Sequence, residues 1–305
     1  MSSVSSDLRE CPSGFSELLT GDTQDNSRQF HTFTNRQSLR EALECRRKAL
    51  AQDKTHDQYL IFLSVPNTEF PSLCDESDDL SRAATKYCRL CYDSDTKILV
   101  TKVIPAPEHE IVTASFQILI AFQLHSMELD DEVDCLNSTT VGIGNWNKEA
   151  DCCWAPAAQK TELSFVLEVG LSESSRHLAI DARGWLETRG TSVNLVITIE
   201  IDRAHPIVNI HQWELGTPNC SISTRSSPRL AYRTATIKLS YANGVISVAG
   251  ESYADNVPSS ITQLELPFEK VVTRPPNSPL ERNIIISEQD RRKLAGKIWR
   301  KQGRI

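Results

Sequence analysis

Apolar and polar residues alternate along this chain in two different spacings. In some segments apolar residues recur every three or four positions, as on one face of a helix, and in others they form short runs, as in strands. The helical spacing occurs at residues 36–52, 108–127 and 287–301. The strand-like runs lie at residues 58–65, 97–104, 164–169, 193–201, 207–215, 230–250 and 261–272. This order predicts an α/β protein with a mixed central sheet of about five strands, flanked by helices, with extra strands and a helix at the C-terminal end.

The segment from Thr161 to Glu200 predicts the centre of this sheet. Residues Ser164 to Val169 form a nearly continuous apolar run, which is typical of a strand covered on both faces. An amphipathic stretch follows and stops near Gly190, and a second apolar run extends from Val193 to Ile201. A strand–helix–strand unit of this kind is expected to place its two strands parallel, with a right-handed crossover.

Two local signals predict a chain reversal and a helix start in the C-terminal part. Asn243 and Gly244 lie between two apolar runs, and this dipeptide strongly favours a tight hairpin. Ser287 and Asp290 have the spacing of a capping box, which predicts that the last helix begins there. The C-terminal part is therefore expected to hold a hairpin and a separate final helix.

Composition divides the chain into four regions. Residues 1–31 are rich in Ser, Asp and Gly without periodicity, and we predict a disordered tail. Residues 32–273 contain the α/β domain, residues 274–286 form a proline-containing linker, and residues 287–305 form a basic helix. The hydrophobic fraction of 39% is enough for one core but low for a chain that folds from end to end.

The sequence predicts an intracellular protein, cytoplasmic or nuclear. Its longest apolar segment, Ile111 to Leu124, is interrupted by polar residues and falls short of the roughly 20 apolar residues that span a bilayer. The N-terminus lacks the basic and apolar regions of a secretory signal. The nine cysteines are scattered and odd in number, which favours reduced thiols over a disulfide framework.

Two pairs of cysteines are close in the sequence. Cys88 and Cys91 have the spacing of a zinc knuckle, but a structural zinc site needs about four ligands and only Cys74 lies nearby. We interpret them as two thiols in a helix-to-strand connection. Cys152 and Cys153 are adjacent, so in a strand they point to opposite faces, and we expect them to serve packing.

The net charge of −7 does not support a nucleic-acid-binding protein, because phosphate contacts require a basic surface. Positive charge is concentrated at the C-terminus, where residues 281–305 hold eight Lys/Arg against three Asp/Glu, a local balance of +5. This asymmetry allows a contact between the tail and nucleic acid without requiring one. The apolar side of the final helix, with Leu294, Ile298 and Trp299, is expected to pack in the protein or to bind a protein partner.

Glu168 is a charged residue at the end of an otherwise apolar strand, as the sequence pattern places it. A carboxylate in such a place is costly unless it is paired or coordinates a cation. Asp151 lies a short way upstream, and two carboxylates from neighbouring strands can bind Mg²⁺ and activate water for phosphodiester cleavage. The alternative is that Glu168 is exposed at a strand edge or pairs with Arg176 or Arg183.

The motifs KEAD, ELSFVLEVGLSES, DARGWLE and VNLVITIEI, in this order between residues 148 and 201, resemble the PD-(D/E)XK nuclease superfamily. More closely, the chain is similar to the restriction-endonuclease-like proteins widespread in bacteria and to a set of uncharacterised fungal proteins with that fold. The resemblance covers about Pro107 to Leu215. It implies a restriction-endonuclease-like fold and a metal-dependent hydrolase. It matches Asp151 and Glu168 to the metal-binding acids and Glu110 to an acid on the preceding helix.

The chain departs from the family pattern at three positions. Ala150 replaces the proline before the first acid, and Gly170 stands where the motif has its lysine. A lysine on the following helix in some bacterial members is matched here by Asp181, which could add a metal ligand, and the nearest lysine upstream is Lys160. Two hypotheses therefore remain open: a Mg²⁺-dependent nuclease with Asp151 and Glu168 as ligands, and a non-catalytic scaffold or binding protein that uses the nuclease fold.

Overall fold

The computed structural model describes residues 30–52, 58–75, 87–104, 107–158, 162–171, 175–216, 230–253 and 258–305. Residues 1–29 of the predicted tail and Lys160 lie outside these ranges. The helices are α1 (Arg36–Gln52), α2 (Phe70–Leu73), α3 (Pro107–Ser126), α4 (Ser175–Glu187), α5 (Phe268–Val271) and α6 (Glu288–Lys301). None of the described helices combines the length and the apolar character needed to cross a membrane.

The strands form a large sheet, a small sheet and a short two-stranded ladder. They are β1 (Phe30–Thr32), β2 (Tyr59–Leu63), β3 (Cys88–Asp93), β4 (Ile98–Val103), β5 (Val133–Asn137), β6 (Thr140–Ile143), β7 (Trp146–Glu149), β8 (Cys152–Pro156), β9 (Phe165–Leu171), β10 (Leu195–Ile201), β11 (Ile207–Gly216), β12 (Leu230–Ala242), β13 (Val245–Ser252), β14 (Ser259–Ser260), β15 (Leu264–Leu266) and β16 (Ile284–Ile286). Strands β15 and β16 pair with each other.

The large sheet has eight strands in the order β14-β13-β12-β11-β10-β9-β8-β5. Strands β9 and β10 are parallel, as the strand–helix–strand pattern predicts, with Phe165 opposite Leu195. The other neighbours are antiparallel. The predicted hairpin joins β12 to β13, and Asn243 and Gly244 both have positive φ, as a tight hairpin turn requires.

The small sheet has six strands in the order β1-β2-β4-β3-β7-β6. Strands β1 and β2 are parallel, and the other neighbours are antiparallel. Strand β7 belongs to the small sheet, and the next strand in the chain, β8, belongs to the large sheet. Residues Ala150 and Asp151, which connect them, therefore cross from one sheet to the other.

The helices and sheets stack in layers. Helices α3 and α6 cover one face of the large sheet, and α4 covers the other face. Helix α1 covers the outer face of the small sheet. The inner face of the small sheet contacts α4 through Ile180, which packs with Tyr59, Val100 and Trp146. Helix α4 and the inner faces of the two sheets thus enclose a buried space.

This architecture confirms the predicted α/β class with a mixed sheet flanked by helices and additional C-terminal elements. The predicted sheet was too small, because β3 and β5 lie in polar stretches that the sequence pattern assigned to loops. Cys88 and Cys91 lie within β3 and are buried, so their predicted place in a helix-to-strand connection is wrong. The predicted capping box at Ser287 and Asp290 is confirmed.

Helix α3 has a narrower buried face than its sequence predicts. Phe116, Ile120 and Leu124 are buried, whereas Ile118 and Phe122 are exposed. The C-terminal end of the last strand-like run also differs from the prediction, because only Leu264–Leu266 form a strand before α5 begins. Cys152 and Cys153 point to opposite faces of β8, as predicted, since they belong to separate apolar clusters.

Candidate functional site

Three of the predicted acidic residues meet in the space between the two sheets and α4. Asp151 immediately precedes β8, whose Cys152 is opposite Leu167 of β9, so the antiparallel register brings Asp151 beside Glu168. Asp181 lies on the inner side of α4. All three side chains are at most 1% exposed. The sequence therefore identified the acids that come together, although Glu168 lies in the middle of its strand and not at its end.

The cations come from the small sheet. Lys102 of β4 is opposite both Tyr59 of β2 and Arg89 of β3, which places these three side chains in one row on the inner face. Lys148 of β7 is opposite Cys91 of β3, one row further along. Strand alternation therefore directs both lysines towards the acids of the large sheet. We call Asp151, Glu168, Asp181, Lys102 and Lys148 the charge centre.

Lys102 joins the acids of β8 and β9. Its Nζ donates to Asp151 Oδ2 at 2.8 Å and to Glu168 Oε2 at 3.5 Å. Asp151 Oδ2 also accepts the backbone N–H of Val169 at 2.7 Å. One ammonium group thus bridges the two carboxylates that the family resemblance assigns to a metal.

Lys148 joins Glu168 to Asp181. Its Nζ donates to Asp181 and lies 3.4 Å from Glu168 Oε1. Trp185 Nε1 donates to the same Glu168 oxygen at 2.6 Å, and Tyr59 Oη donates to Asp181 Oδ2 at 2.9 Å. Neither Arg176 nor Arg183 fills the role that the alternative interpretation gave them, since Glu168 pairs with lysines and Arg183 pairs with Glu187.

Two further basic side chains lie next to Asp151. His109 Nε2 is 3.0 Å and Arg89 Nε is 3.3 Å from Asp151 Oδ1. Glu110, the fourth predicted site residue, lies outside the centre with a side chain that is 65% exposed. Its carboxylate contacts Nδ1 of His109, the ring nitrogen that faces away from Asp151, at 3.2 Å. Its link to the centre is therefore indirect.

Burial and the surrounding charges together shift the pKa values of Glu168 and Asp151 in opposite directions. Burial raises the pKa of Glu168 to about 7, and Lys148 only partly opposes it. Burial alone would also raise the pKa of Asp151, but the positive charges of His109 and Lys102 outweigh it and hold that pKa well below its usual range. For Lys148, burial lowers the pKa, and Asp181 and Glu168 raise it by more, so this lysine stays charged.

The donor set of the charge centre does not fit Mg²⁺. This ion prefers six oxygen ligands at near-octahedral positions and keeps several waters. Here the carboxylate oxygens of Glu168 and Asp181 already contact nitrogen or hydroxyl donors. The adjacent cavity has a volume of about 10 Å³, which is room for about one water. Among the described residues, no group of three or more His, Cys, Asp or Glu side chains could hold a metal ion.

Gly170, which replaces the motif lysine, is held as glycine by packing. A Cβ at this position would lie 2.9 Å from Leu178 Cδ1 and 3.1 Å from Leu178 Cγ, inside a buried contact between β9 and α4. A longer side chain would therefore have to displace the side chain of Leu178. The positive charge beside Glu168 comes from Lys102 and Lys148 of the small sheet.

The sequence did not identify either lysine, although a signal exists for both. Lys102 lies in the apolar run KILVTKVI, where a charge is as costly as Glu168 is in its own strand. Lys148 is two residues after Trp146, so in a strand it shares that apolar residue's face. A lysine on the apolar face of a strand is therefore as strong a signal of a buried ion pair as a carboxylate is.

Comparisons with known proteins identify no family for the chain. No protein-family model matches it, and no curated protein matches it. Among solved structures, the chain is similar to a candidate nuclease belonging to DUF820 from Anabaena variabilis, with 12% identity over 45% of this chain and 82% of that chain. The TM-score of 0.30 is too low for this likeness to establish a common fold. The mixed α/β architecture is consistent with the restriction-endonuclease-like fold.

Proposed function

We propose that this protein is a nuclease-like scaffold or binding protein without metal-dependent catalysis. The observation that carries this proposal is the position of the Lys102 and Lys148 ammonium groups among the three carboxylates. Each ammonium occupies the space between two acids that a divalent ion would need. In this proposal the charge centre stabilises the contact between the two sheets and does not bind substrate.

The charge balance supports this interpretation. Asp181, which the resemblance matches to a lysine in some bacterial members of the nuclease superfamily, pairs with Lys148 of β7. The cluster therefore holds these charges as ion pairs, without the open coordination positions of a catalytic metal site. A buried charge that loses its partner is strongly destabilising, which explains why such a cluster persists without catalysis.

A metal titration tests the proposal. We expect that neither Mg²⁺ nor Mn²⁺ raises the melting temperature of the full chain, because a ligand that binds only the folded state would do so. We also expect no cleavage of plasmid or single-stranded DNA under the same conditions, with an active nuclease as the control for substrate and buffer.

The second candidate function is a Mg²⁺-dependent nuclease, and one observation favours it. Lys102 contacts both Asp151 and Glu168, so two acids and a lysine are grouped as a phosphodiester-cleaving site would need. Cleavage that is lost with EDTA, with Glu168→Ala and with Lys102→Met would establish this function and overturn the first proposal. Cleavage that survives Glu168→Ala would come from a contaminant or another site.

A binding role would use surfaces outside the charge centre. The apolar side of α6 is buried in the protein, with Leu294, Ile298 and Trp299 at most 3% exposed. A protein partner that binds α6 would therefore meet its exposed basic side, which includes Lys293 and Lys297. Reversing both charges with Lys293→Glu and Lys297→Glu is expected to abolish such binding without changing the melting temperature, since both side chains are on the surface.

A further inference from the structure

The sulfur atoms of Cys135 and Cys152 lie 3.5 Å apart, at the junction of β5 and β8. We propose that these two cysteines form a peroxide-reactive pair, in which a hydroperoxide oxidises the two thiols to a disulfide. This site is separate from the charge centre, although Cys152 directly follows Asp151 in the chain. The proposal rests on the positions of the two sulfur atoms and does not depend on the proposed scaffold function.

The local backbone allows the sulfurs to approach. A disulfide bond is about 2.05 Å long, so the two atoms have to move closer by about 1.5 Å. Among the described strands, β5 lies at the edge of the large sheet and pairs with β8. The pairing is irregular between Cys135 and Asn137, and Asn137 has a positive φ of 51°. An edge strand with such an irregularity can shift without disturbing the central ladder.

The surroundings assign different roles to the two thiols. Cys135 is partly exposed, whereas Cys152 is fully buried. The hydrogen bond between the two thiols lowers the pKa of Cys135, against the opposing effect of burial, to about 7. Cys135 is therefore the thiolate that an oxidant reaches first, because the thiolate is the reactive form.

The reaction balances in two steps. The Cys135 thiolate attacks one oxygen of the hydroperoxide, the O–O bond breaks, and Cys135 becomes a sulfenic acid. The leaving hydroxide or alkoxide takes up the proton that the Cys135 thiol had released, and it departs as water or an alcohol. The Cys152 sulfur then attacks the sulfenic sulfur, the S–O bond breaks, and the hydroxyl group leaves as water with the Cys152 proton. The sulfurs give up two electrons, and hydrogen peroxide is reduced to two molecules of water.

Other described cysteines are poorer candidates. Burial raises the pKa of Cys88, Cys91 and Cys153 to about 12, which leaves little thiolate at neutral pH. Cys153 is next to Cys152 in the chain, but its thiol points to the opposite face of β8 and donates to the backbone carbonyl of Asn137 at 3.3 Å. Because Cys153 is adjacent to Cys152, the variant Cys153→Ser is a matched control for which of the two cysteines forms the disulfide with Cys135.

Peptide mapping of the full chain after treatment with hydrogen peroxide tests the proposal. Trypsin cuts after Lys148, which separates Cys135 on residues 103–148 from Cys152 and Cys153 on residues 149–160. We expect a linked pair of these peptides, lighter by two hydrogen atoms than their sum and removed by dithiothreitol. The link is expected to persist in Cys153→Ser and to disappear in Cys152→Ser, where dimedone should trap the sulfenic acid on Cys135.

Two results would overturn the proposal. One is a folded wild-type protein in which peroxide modifies exposed Cys45 while no linked peptide forms. The other is a link that persists in Cys152→Ser but is lost in Cys153→Ser. The melting curve of each variant checks that it is folded, and Cys152→Ala replaces Cys152→Ser if the serine is not tolerated in this apolar position. If neither substitution at Cys152 gives a folded protein, the peptide maps of the wild type and of Cys153→Ser still test whether Cys135 bonds to Cys152.

Discussion

Strand β9 has one face in an aromatic core and the other in the charge centre, and both faces are fully buried. On the first face Phe165 stacks on Trp154 with ring centroids 4.6 Å apart, and Phe116 of α3 lies 6.2 Å from Phe165. On the second face Glu168 is surrounded by Lys102, Lys148 and Trp185. Burial therefore does not distinguish the two faces. They differ in how far each side chain depends on a particular partner.

Apolar packing and ion pairing respond differently to substitution. A core side chain can be exchanged for another of similar volume at small cost, because its neighbours offer dispersion and hydrophobic contacts of no fixed direction. A buried charge needs its counter-charge and its hydrogen bonds, because water is absent to replace them. The aromatic face should therefore tolerate conservative exchange, and the charge centre should respond as one unit. Four predictions test this contrast.

The largest effect is expected from Lys148→Ala, which leaves Asp181 and Glu168 without their shared ammonium. We expect a loss of about 3–5 kcal/mol in the free energy of unfolding, as for one partner removed from a buried pair. Denaturant unfolding measures it. Lys238→Ala, which changes an exposed lysine of β12, is the matched control and should have almost no effect.

The charge centre should also show rescue. The double variant Lys148→Met with Asp181→Leu removes both charges and is expected to be more stable than Lys148→Ala, because no unpaired carboxylate remains at that position. If the double variant is as unstable as the sum of its single changes, the charges do not act as a unit and the contrast between the two faces fails.

The second effect is a dependence of stability on pH that originates in the charge centre. Glu168 has a pKa of about 7 in the folded protein against an ordinary value of 4.5, so the folded state binds more protons between these values. The free energy of unfolding should therefore fall as pH rises from about 4.5 to about 7, by on the order of 3 kcal/mol.

Glu168→Gln should remove this part of the pH dependence, because the amide resembles the protonated acid and does not titrate. Burial also raises the pKa of Glu149 to about 7, so Glu149 contributes a slope of the same sign. Denaturant unfolding of Glu168→Gln, Glu149→Gln and the double variant across this pH range separates the two. An unchanged slope in Glu168→Gln would show that Glu168 titrates normally.

The third effect is expected from Gly170→Ala, at the position where the family motif has lysine. The added methyl group would press on Leu178 in the contact between β9 and α4. We expect a loss of about 2 kcal/mol, within the usual range for overpacking a core. Gly170→Ala combined with Leu178→Ala should recover part of that loss, and thermal or denaturant melting measures both. A Gly170→Ala variant of wild-type stability would mean that lysine is absent there for another reason.

The smallest effect is expected from Phe165→Leu on the aromatic face. Stability should fall by about 1 kcal/mol, since the substitution keeps an apolar side chain of similar size. The loss should be nearly the same at pH 5 and pH 7, because the ring contacts of Phe165 are with the aromatic side chains of Trp154 and Phe116, which do not titrate. A loss that varies with pH would mean that the two faces of β9 are coupled through the strand.

Much of the fold could be predicted because local periodicity reports which side chains are buried. The apolar run at Ser164 to Val169 indicated a central strand, and the Asn243-Gly244 turn and the Ser287 cap were found where expected. Strands β3 and β5 were missed because their polar neighbours hide a short buried run, and only pairing with β4 and β8 makes them strands. Glu168 was identified by the cost of its burial, which depends on its own strand alone.

By itself, the sequence identified the three acids and the strand–helix–strand unit that carries Glu168 and Asp181. The tertiary structure alone decided that Lys102 and Lys148, from a different sheet, would neutralise these acids. The physical reason is that the alternation of side chains along a strand is a local property, while the register between β3, β4 and β7 and the packing of one sheet on the other are not. The same acids could bind a metal or be held by lysines, and the contact between the two sheets decides between these outcomes.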